Sequence, residues 1–372
     1  MKRPRVMQLV VAGDVGGAER LLVDLATRPD ETAADHEVAL FTPNVALREL
    51  FVNAGLLVHD PGRVRENPLA YLYRSLGPVD VAWLARLLAE RRADILHTHT
   101  LGSHVLGTRA ARRAGVPQLR TEHHVMHYAD PSSSRFTRWA AKRTDRLIAV
   151  SEYVRGEIAR TAPDLAARVE TVRNGVDAEH FVPGAGRGGS GGDAPFSAAI
   201  VCRLTGWKRV ELAVLASALA RVPLVVVGDG EERRRLEEVA RARCAPVRFV
   251  GFQDDPRPFV AACDVTLNTS KAEAFSLSVL ESLAMERPVI AFAKGGIPEI
   301  VVDDVTGWLV GDESPEALAD ALRRAKAERV RLPAMGAAGR RFVEARTSAR
   351  RMCEGYAVQY EALWRRGRVE GA

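Results

Sequence analysis

The segment DVTLNTSKAEAFSLSVLESLA, residues 264–284, joins an apolar run to a helical pattern through a short polar loop. The run DVTLNTS predicts a buried strand that ends near Asn268, and Ser276 is a favoured N-cap for the helix that follows. The same strand, loop and helix pattern recurs along the chain, and this alternation is typical of βαβ units with parallel sheets. We therefore predict an α/β protein.

Short apolar runs that predict strands occur on both sides of a glycine-rich segment. In the first half they are RVMQLVVAG, EVALFTP, LLVHD, DILHTHT, PQLRTEH and RLIAVS. In the second half they are AAIVCRL, VPLVVVG, VRFVG, DVTLNTS, PVIAFA and GWLVG. Between them, residues 183–195 contain six glycines, which is typical of a flexible linker. The pattern predicts two doubly wound domains, which bind ligands at the carboxyl ends of their strands.

Composition narrows the class of protein. A chain of 372 residues exceeds what one core usually supports, so about two domains are expected. A net charge of +6 permits attraction to anionic substrates or a membrane surface without requiring nucleic acid. The cysteines lack metal-ligand spacing, and no apolar run approaches the ~20 residues of a membrane span. Because Gly13 and Asp14 interrupt the apolar start and no cleavage pattern follows, we expect a cytoplasmic protein.

Two cations follow the first strand of the second half. The segment VCRLTGWKR places Arg203 and Lys208 on a short loop at the strand end, where such sheets bind phosphates. Only six of the 53 basic residues are lysines, and lysine is a compact point charge suited to a phosphate. We therefore prefer a phosphate role for both residues over ordinary surface charges.

A glycine-rich turn, GDVGGAER, follows the first strand of the chain. It matches neither the dinucleotide fingerprint nor a P-loop. Gly16 and Gly17 allow close approach of the backbone to a ligand, and a helix N-terminus presents free N–H groups to an anion. A tight turn without a ligand is equally consistent with this pattern.

Two glutamates flank the predicted start of the helix in the opening segment. Glu273 lies in the loop, and Glu281 lies more than one turn into the helix. Between them, the N–H groups of Phe275, Ser276 and Leu277 form a predicted anion site. Carboxylates suit pairs of sugar hydroxyls, since each oxygen accepts hydrogen bonds. The alternatives are a glycosidase acid pair, which this loop–helix geometry disfavours, and a structural role for both acids.

Six of the nine histidines lie between positions 97 and 127: His97, His99, His104, His123, His124 and His127. His97 and His99 are two residues apart on a strand and therefore face the same side. We expect the cluster to line the cleft and bond a polyol or phosphate. Zinc is a weaker alternative, because no cysteine or H-E-x-x-H helix accompanies the histidines. A structural role is the alternative for His104 and His127.

In order along the chain, these segments resemble the family 4 retaining glycosyltransferases of GT-B fold. The matching motifs are GGAER, HTHTLGSHVLG, RTEHH, AVSEYVRGEI, VRNGVD, RLTGWK, VVVGDGE, the E-x7-E pair and KGGIPEIV. They span nearly the whole chain, and R-x4-K followed by E-x7-E is the specific part. The resemblance implies two Rossmann-like domains that face each other across a cleft. It divides the chain into an acceptor-binding domain (1–178), a linker (179–195), a nucleotide-sugar domain (196–346) and a helical tail packing back toward the first domain (347–372).

The resemblance also implies roles for individual residues. The donor-binding set would be Gly16, Gly17, Arg203, Lys208, Glu273, Phe275, Ser276, Leu277 and Glu281. Arg203 and Lys208 would hold the diphosphate, and Glu281 the ribose hydroxyls. Glu273 would hold the transferred sugar, beside which His123 would lie at the reacting centre. Arg203, Lys208, His123 and Glu273 are therefore the candidate catalytic residues, with Gly16 and Gly17 closing over the diphosphate from the other domain.

Two further matches concern the hinge and the acid motif. Arg173 and Asn174 match a strand on the hinge side. Ala274 and Ser276 occupy places where glycine is frequent in the family, which leaves the identity of the sugar open.

The implied function is that of a metal-independent hexosyltransferase without a cofactor, since the nucleotide sugar is its substrate. It would move a sugar from a nucleotide-diphosphate sugar, with UDP slightly preferred over GDP, to an acceptor hydroxyl in polysaccharide, glycolipid or natural-product biosynthesis. A nucleotide-sugar 2-epimerase of the same fold is the alternative, and a two-lobed periplasmic binding protein would need an export signal. Basic residues in 63–75 and 135–146 predict a peripheral contact with the cytoplasmic face of a membrane, or else a solvated amphipathic face.

Overall fold

The computed structural model describes residues 2–11, 13, 15–62, 73–74, 77–99, 101–184 and 195–370, without the side chains of 101 and 367–370. The chain divides into two units, one formed by Met1–Asn174 and Ala349–Ala372 and the other by Gly175–Ser348. Most of the predicted linker, residues 185–194, lies outside the described residues, as does most of the basic segment 63–75.

The first unit is built on a seven-stranded sheet with the order β3-β2-β1-β4-β5-β6-β7. Every pair of neighbouring strands is parallel. The strands are β1 (Arg5–Val10), β2 (Asp35–Leu40), β3 (Leu57–His59), β4 (Ile95–Thr98), β5 (Gln118–Glu122), β6 (Arg146–Ala149) and β7 (Val169–Thr171). Strand β7 has no counterpart among the predicted strands, because its three residues include only one apolar side chain.

Helices connect these strands and cover the sheet. They are α1 (Gly17–Ala26), α2 (Pro29–Thr32), α3 (Val45–Asn53), α4 (Pro78–Glu90), α5 (Leu101–Ala114), α6 (Met126–Ala129), α7 (Ser134–Ala141) and α8 (Glu152–Thr161). A 3₁₀ turn, Pro163–Arg168, precedes β7. The apolar faces of α4 and α5 pack on one side of the sheet, where Leu84, Leu96 and Leu106 are fully buried.

The second unit is built on a six-stranded parallel sheet with the order β10-β9-β8-β11-β12-β13. Its strands are β8 (Ala198–Val201), β9 (Leu224–Val227), β10 (Val247–Gly251), β11 (Val265–Asn268), β12 (Val289–Phe292) and β13 (Gly307–Val310). Its helices are α9 (Val210–Ala220), α10 (Arg233–Ala242), α11 (Arg257–Ala262), α12 (Leu277–Ala284), α13 (Pro315–Ala327) and α14 (Leu332–Phe342). Shorter turns are Gly206–Lys208, Ile297–Glu299, Arg329–Arg331 and the π-helical Val343–Thr347.

A long helix, α15 (Ala349–Glu370), follows the second unit in sequence but belongs to the first. Tyr356 and Tyr360 of this helix are fully buried. Their hydroxyls bond Thr121 of β5 and His97 of β4, at 2.9 and 2.8 Å. Polar groups of the first sheet therefore find partners that are 235 and 263 residues further along the chain.

The predicted α/β class with two doubly wound sheets is confirmed, and each of the twelve predicted segments contains a strand. In each sheet the strand order reverses beside the first strand of the unit. These switch points, between β1 and β4 and between β8 and β11, are where open α/β sheets bind ligands. Among the described residues, no helix combines the length and apolar character needed to span a membrane.

Candidate functional site

The switch point of the second unit brings two of the predicted residues into contact. Lys208 lies at the end of the short turn after β8, and Glu273 lies in the loop after β11. The Lys208 ammonium donates to Glu273 Oε1 at 2.6 Å, and the Ser270 hydroxyl donates to the same oxygen at 2.7 Å. The two side chains are 26% and 14% exposed, so the pair is accessible from solvent but partly desolvated.

Three further hydrogen bonds fasten these two loops together. The Trp207 indole donates to the Ala272 carbonyl at 2.8 Å, and the Lys271 N–H donates to the Trp207 carbonyl at 2.9 Å. The Thr269 hydroxyl donates to the Lys208 carbonyl, also at 2.8 Å. The position of the Lys208 side chain is therefore set by the backbone on both sides of the switch point. Arg203, the other predicted cation, lies exposed at the start of the same loop.

The start of α12 lies next to this pair. Ser276 is the N-cap, as the sequence predicts, but its side chain makes no capping bond to the helix. Its hydroxyl instead accepts from the Asn268 amide at 3.2 Å, which leaves the first-turn N–H groups without a side-chain cap. Phe275 is buried and Leu277 half-buried. Helix N-termini of this kind attract anions.

Glu281 lies one turn further along α12 and is half-buried. Glu273 and Glu281 therefore occupy the loop and the helix as predicted. The structure shows Glu273 held by an ammonium, a contact that the spacing of the two acids does not predict.

Two glycines, Gly295 and Gly296, shape the loop of Glu273. The Gly296 N–H donates to the Glu273 carbonyl at 2.7 Å. A Cβ at Gly295 would lie 2.2 Å from the Glu273 oxygen, and one at Gly296 would lie 2.2 Å from the Ala274 oxygen. Only glycine fits either position without displacing the loop. The doublet in KGGIPEIV, directly after an apolar run, is the feature of the sequence that marks this close approach.

Arg209 also supports this loop, although its position in the sequence does not predict this role. Its guanidinium donates to the carbonyls of Thr269 and Ser270, at 3.0 and 3.2 Å, and pairs with Glu313. Lys294 also pairs with Glu313, at 2.6 Å, and together the two cations lower the pKa of that carboxyl. Arg209 therefore holds the backbone from which the Ser270 hydroxyl reaches Glu273.

In the first unit, Gly16 is the N-cap of α1, and Gly17 is its first residue. The carboxylate of Glu19 accepts from the Gly16 N–H at 3.0 Å and is 7% exposed. One donor of the predicted anion site is thus bonded to a carboxylate of the same helix. Arg173 and Asn174 follow β7 in irregular backbone, so the prediction that they lie in a strand is wrong.

The expectation that the histidine cluster lines a cleft is wrong for His97 and His99. His97 lies in β4 and His99 directly after it, and their rings lie together, with centroids 3.9 Å apart. Both are buried, however, and the nitrogens of His97 bond Tyr360 and Thr121. The sequence could not show that α15 covers this face. His123, by contrast, is half-buried, and burial lowers its pKa to about 4, so it is neutral at pH 7.

A second histidine group lies around a buried carboxylate. Among the described residues, His104, Glu122 and His127 are one group whose ligand atoms lie within 4.8 Å of one another. Arg120, itself fully buried, lies 2.6 Å from Glu122, and the Tyr128 hydroxyl donates to it at 2.5 Å. Burial alone would raise the pKa of Glu122, but Arg120 and the histidines hold it well below its ordinary value. The arginine already neutralises the carboxylate, and a metal ion would add an uncompensated charge.

Comparisons with known proteins identify the family of the chain. The family model for Glycosyltransferase Family 4 matches residues 15–180, and the one for Glycosyl transferases group 1 matches residues 196–327. The D-inositol 3-phosphate glycosyltransferase of Kribbella flavida is 28% identical over 351 residues, covering 83% of this chain and 82% of that protein.

Two solved structures share the fold. The Anabaena protein Alr3699/HepE in complex with UDP has a TM-score of 0.81 at 22% identity, covering 96% of this chain and 100% of that one. The sucrose-phosphate synthase of Thermosynechococcus elongatus has a TM-score of 0.79 at 24% identity, covering 98% and 99%. The predicted GT-B fold class is thereby confirmed.

Proposed function

Because the chain belongs to glycosyltransferase family 4, we propose that it transfers a hexosyl group from a nucleotide-diphosphate sugar to an acceptor hydroxyl, with retention of configuration. The observation that carries this proposal is the contact of Lys208 with Glu273 beside the start of α12. It combines an ammonium, a carboxylate and uncapped N–H groups at one switch point. These are the groups needed to bind a diphosphate next to a sugar.

In the proposed reaction, the bond between the anomeric carbon and the β-phosphate oxygen breaks, and negative charge grows on the leaving diphosphate. Lys208, Arg203 and the first-turn N–H groups of α12 stabilise this charge more strongly as it develops, which accelerates the step. The acceptor oxygen bonds the anomeric carbon on the same face, and its proton passes to the leaving phosphate oxygen. The reaction requires no metal and no cofactor.

This route gives Glu273 a binding role and no covalent one. Its Oε1 already accepts hydrogen bonds from Lys208 and Ser270, which makes that oxygen a weak nucleophile. We assign Glu273 to the hydroxyls of the transferred sugar and Glu281 to the ribose. A glycosyl adduct on Glu273, detected by mass spectrometry of the intact protein, would contradict this assignment.

We propose a UDP-sugar as donor and a phosphorylated polyol as the first acceptor to test. The structures of HepE with UDP and with UDP-glucose support the choice of donor. The name of the Kribbella relative, a D-inositol 3-phosphate glycosyltransferase, supports the choice of acceptor.

We also propose a peripheral contact with an anionic membrane surface through α7 and the residues after it. Phe136 is 44% exposed, and Arg135, Lys142 and Arg143 are exposed on the same segment. Basic and aromatic groups together are typical of interfacial helices. Co-sedimentation with vesicles containing anionic lipid, absent with neutral vesicles, is the expected result, and equal binding to both would contradict the contact.

A thermal-shift series tests the proposed donor. A ligand that binds only the folded protein at 100 times its Kd stabilises it by about 2.7 kcal/mol. UDP and UDP-glucose should raise the melting temperature, and GDP and GDP-mannose should raise it less. Incubating the UDP-sugar with and without an inositol phosphate then identifies the product. Epimerised donor without acceptor would establish the 2-epimerase instead, and no shift with any nucleotide would contradict the proposal.

A further inference from the structure

Arg209 has an unusual backbone conformation directly after Lys208. Its φ of 48° and ψ of 40° lie in the left-handed region, which disfavours residues that carry a Cβ. Arg209 joins the turn Gly206–Lys208 to α9, so this conformation sets the direction in which the chain leaves Lys208. A strained residue of this kind persists only where its surroundings hold it in place.

The guanidinium of Arg209 provides that hold. Its Nε donates to the Thr269 carbonyl at 3.0 Å, and its Nη2 donates to the Ser270 carbonyl at 3.2 Å. Its Nη1 pairs with Glu313, and its Cζ lies over the Phe292 ring, 5.2 Å from the centroid. Three nitrogens of one planar group thus bond three separate acceptors, a geometry that the single ammonium of a lysine could not reproduce.

These bonds join the segment of Lys208 to the segment of Glu273 in both directions. Arg209 donates to two carbonyls of the later segment, and the Thr269 hydroxyl donates back to the Lys208 carbonyl at 2.8 Å. The Ser270 hydroxyl then donates to Glu273 Oε1, the oxygen that also accepts from Lys208. The separation of the Lys208 ammonium and the Glu273 carboxylate therefore depends on the anchoring of Arg209.

Glu313, between β13 and α13, connects Arg209 to a third loop. One carboxylate oxygen pairs with Arg209, and the other accepts from Lys294 Nζ at 2.6 Å. Lys294 lies in the loop after β12, two residues before Gly296, whose N–H donates to the Glu273 carbonyl at 2.7 Å. One carboxylate therefore holds cations from two loops that both reach the segment of Glu273.

We propose that Arg209 and Glu313 are positioning residues of the donor site. They hold the loops after β8, β11 and β12 so that Lys208 already lies against Glu273 before a donor binds, which reduces the cost of ordering these groups on binding. What the site binds rests on the proposed function, and neither Arg209 nor Glu313 is assigned a contact with the donor. The charge of Glu313 alone would have the opposite effect, because removing a carboxylate near a diphosphate site strengthens the binding of that anion.

The first measurement needs no donor. The six lysines of the folded, full-length protein are acylated with an amine-reactive reagent, and peptide mass spectrometry gives the rate at each. In Glu313→Gln, one oxygen and an NH₂ replace two accepting oxygens, so the side chain cannot accept from both cations. Lys208 should then react about threefold faster, within what a partly exposed ion pair is worth, while Lys271 reacts as in the wild type.

Calorimetric titration with UDP measures the consequence for donor binding. Glu313→Gln should raise the Kd about fivefold, the equivalent of one hydrogen bond, and so should Arg209→Gly, although glycine accepts the left-handed backbone. Asp312→Asn is the matched control: it removes the same charge from an exposed neighbour, and its Kd should stay within about twofold of the wild type. In a Lys208→Ala background, Glu313→Gln should change the Kd less than about twofold, because its effect acts through Lys208.

The outcomes separate the inference from the proposed function. Unchanged acylation of Lys208 in both Glu313→Gln and Arg209→Gly overturns the inference, whatever the UDP titrations show. Tighter UDP binding in Glu313→Gln, or an equal loss with and without Lys208, overturns the positioning role in donor binding. A wild type that does not bind UDP, together with the expected acylation rates, overturns the proposed function and leaves the positioning of Lys208 intact.

Discussion

Replacing Lys208 with alanine tests the diphosphate site most directly. The ammonium lies 2.6 Å from Glu273 Oε1 in a pair that is 26% and 14% exposed. A hydrogen bond from a charged group is worth about 1.5–3 kcal/mol, so loss of the bond to a diphosphate should raise the Kd for UDP about 10- to 150-fold. Folding should change little, because an accessible ion pair contributes about 0–1 kcal/mol and Glu273 keeps the Ser270 hydroxyl.

Calorimetric titration with UDP measures the affinity, and urea denaturation measures the free energy of unfolding. Lys271→Ala is the matched control: its ammonium lies in the same loop but over the Trp207 ring, 5.7 Å from the centroid, and its Kd for UDP should stay within about twofold. Turnover should fall about 100-fold in Lys208→Ala and in Arg203→Ala, as on removal of an oxyanion donor. A Kd for Lys208→Ala within twofold of the wild type would refute the assignment of this residue to the diphosphate.

Three further outcomes are expected. Glu122→Gln leaves the fully buried Arg120 without its counter-charge and should lower the free energy of unfolding by about 3–5 kcal/mol. The control Glu361→Gln changes an exposed ion pair and should lower it by less than about 0.5 kcal/mol. Equal losses of the two variants in urea titrations would contradict this prediction. The pKa of Glu122 in the folded protein lies well below 4.5. The contribution of Glu122 to the free energy of unfolding should therefore be complete above about pH 5 and decline as the pH falls toward the folded pKa. The difference in free energy of unfolding between the wild type and Glu122→Gln, measured from about pH 8 to about pH 3, tests this. Gly296→Ala would place a Cβ 2.2 Å from the Ala274 backbone oxygen and should weaken UDP binding about tenfold. Gly311→Ala is the control, because a Cβ at Gly311 meets no atom within 4 Å and should leave UDP binding unchanged. Similar Kd values for the two variants would argue against a role for the close approach at Gly296.

The loop and helix start around Glu273 could be predicted from the sequence because both depend on local properties. The apolar run ending at Asn268 and the cap residue Ser276 determine where the chain turns, whatever lies around them. The cations after β8 were predictable for a similar reason, since a parallel sheet places its carboxyl ends along one edge. The pairing of Lys208 with Glu273 was not predictable, because 65 residues separate them.

The histidines show where local reasoning fails. Strand periodicity places His97 and His99 on one side of the predicted strand but does not say what covers that side. The answer comes from Tyr360, which is 263 residues from His97. The close approach of Gly295 and Gly296 to the Glu273 loop is another contact between segments distant in sequence, and the glycine doublet alone does not identify its partner.

The return of α15 to the first unit has a consequence for the order of folding during synthesis. The second unit is a single continuous segment, Gly175–Ser348, whereas the first also needs Ala349–Ala372. Until the ribosome has made Tyr356 and Tyr360, the hydroxyl partners of Thr121 and His97 do not exist. The half of the chain that is made first should therefore complete its interior last, after the second unit has become free to fold.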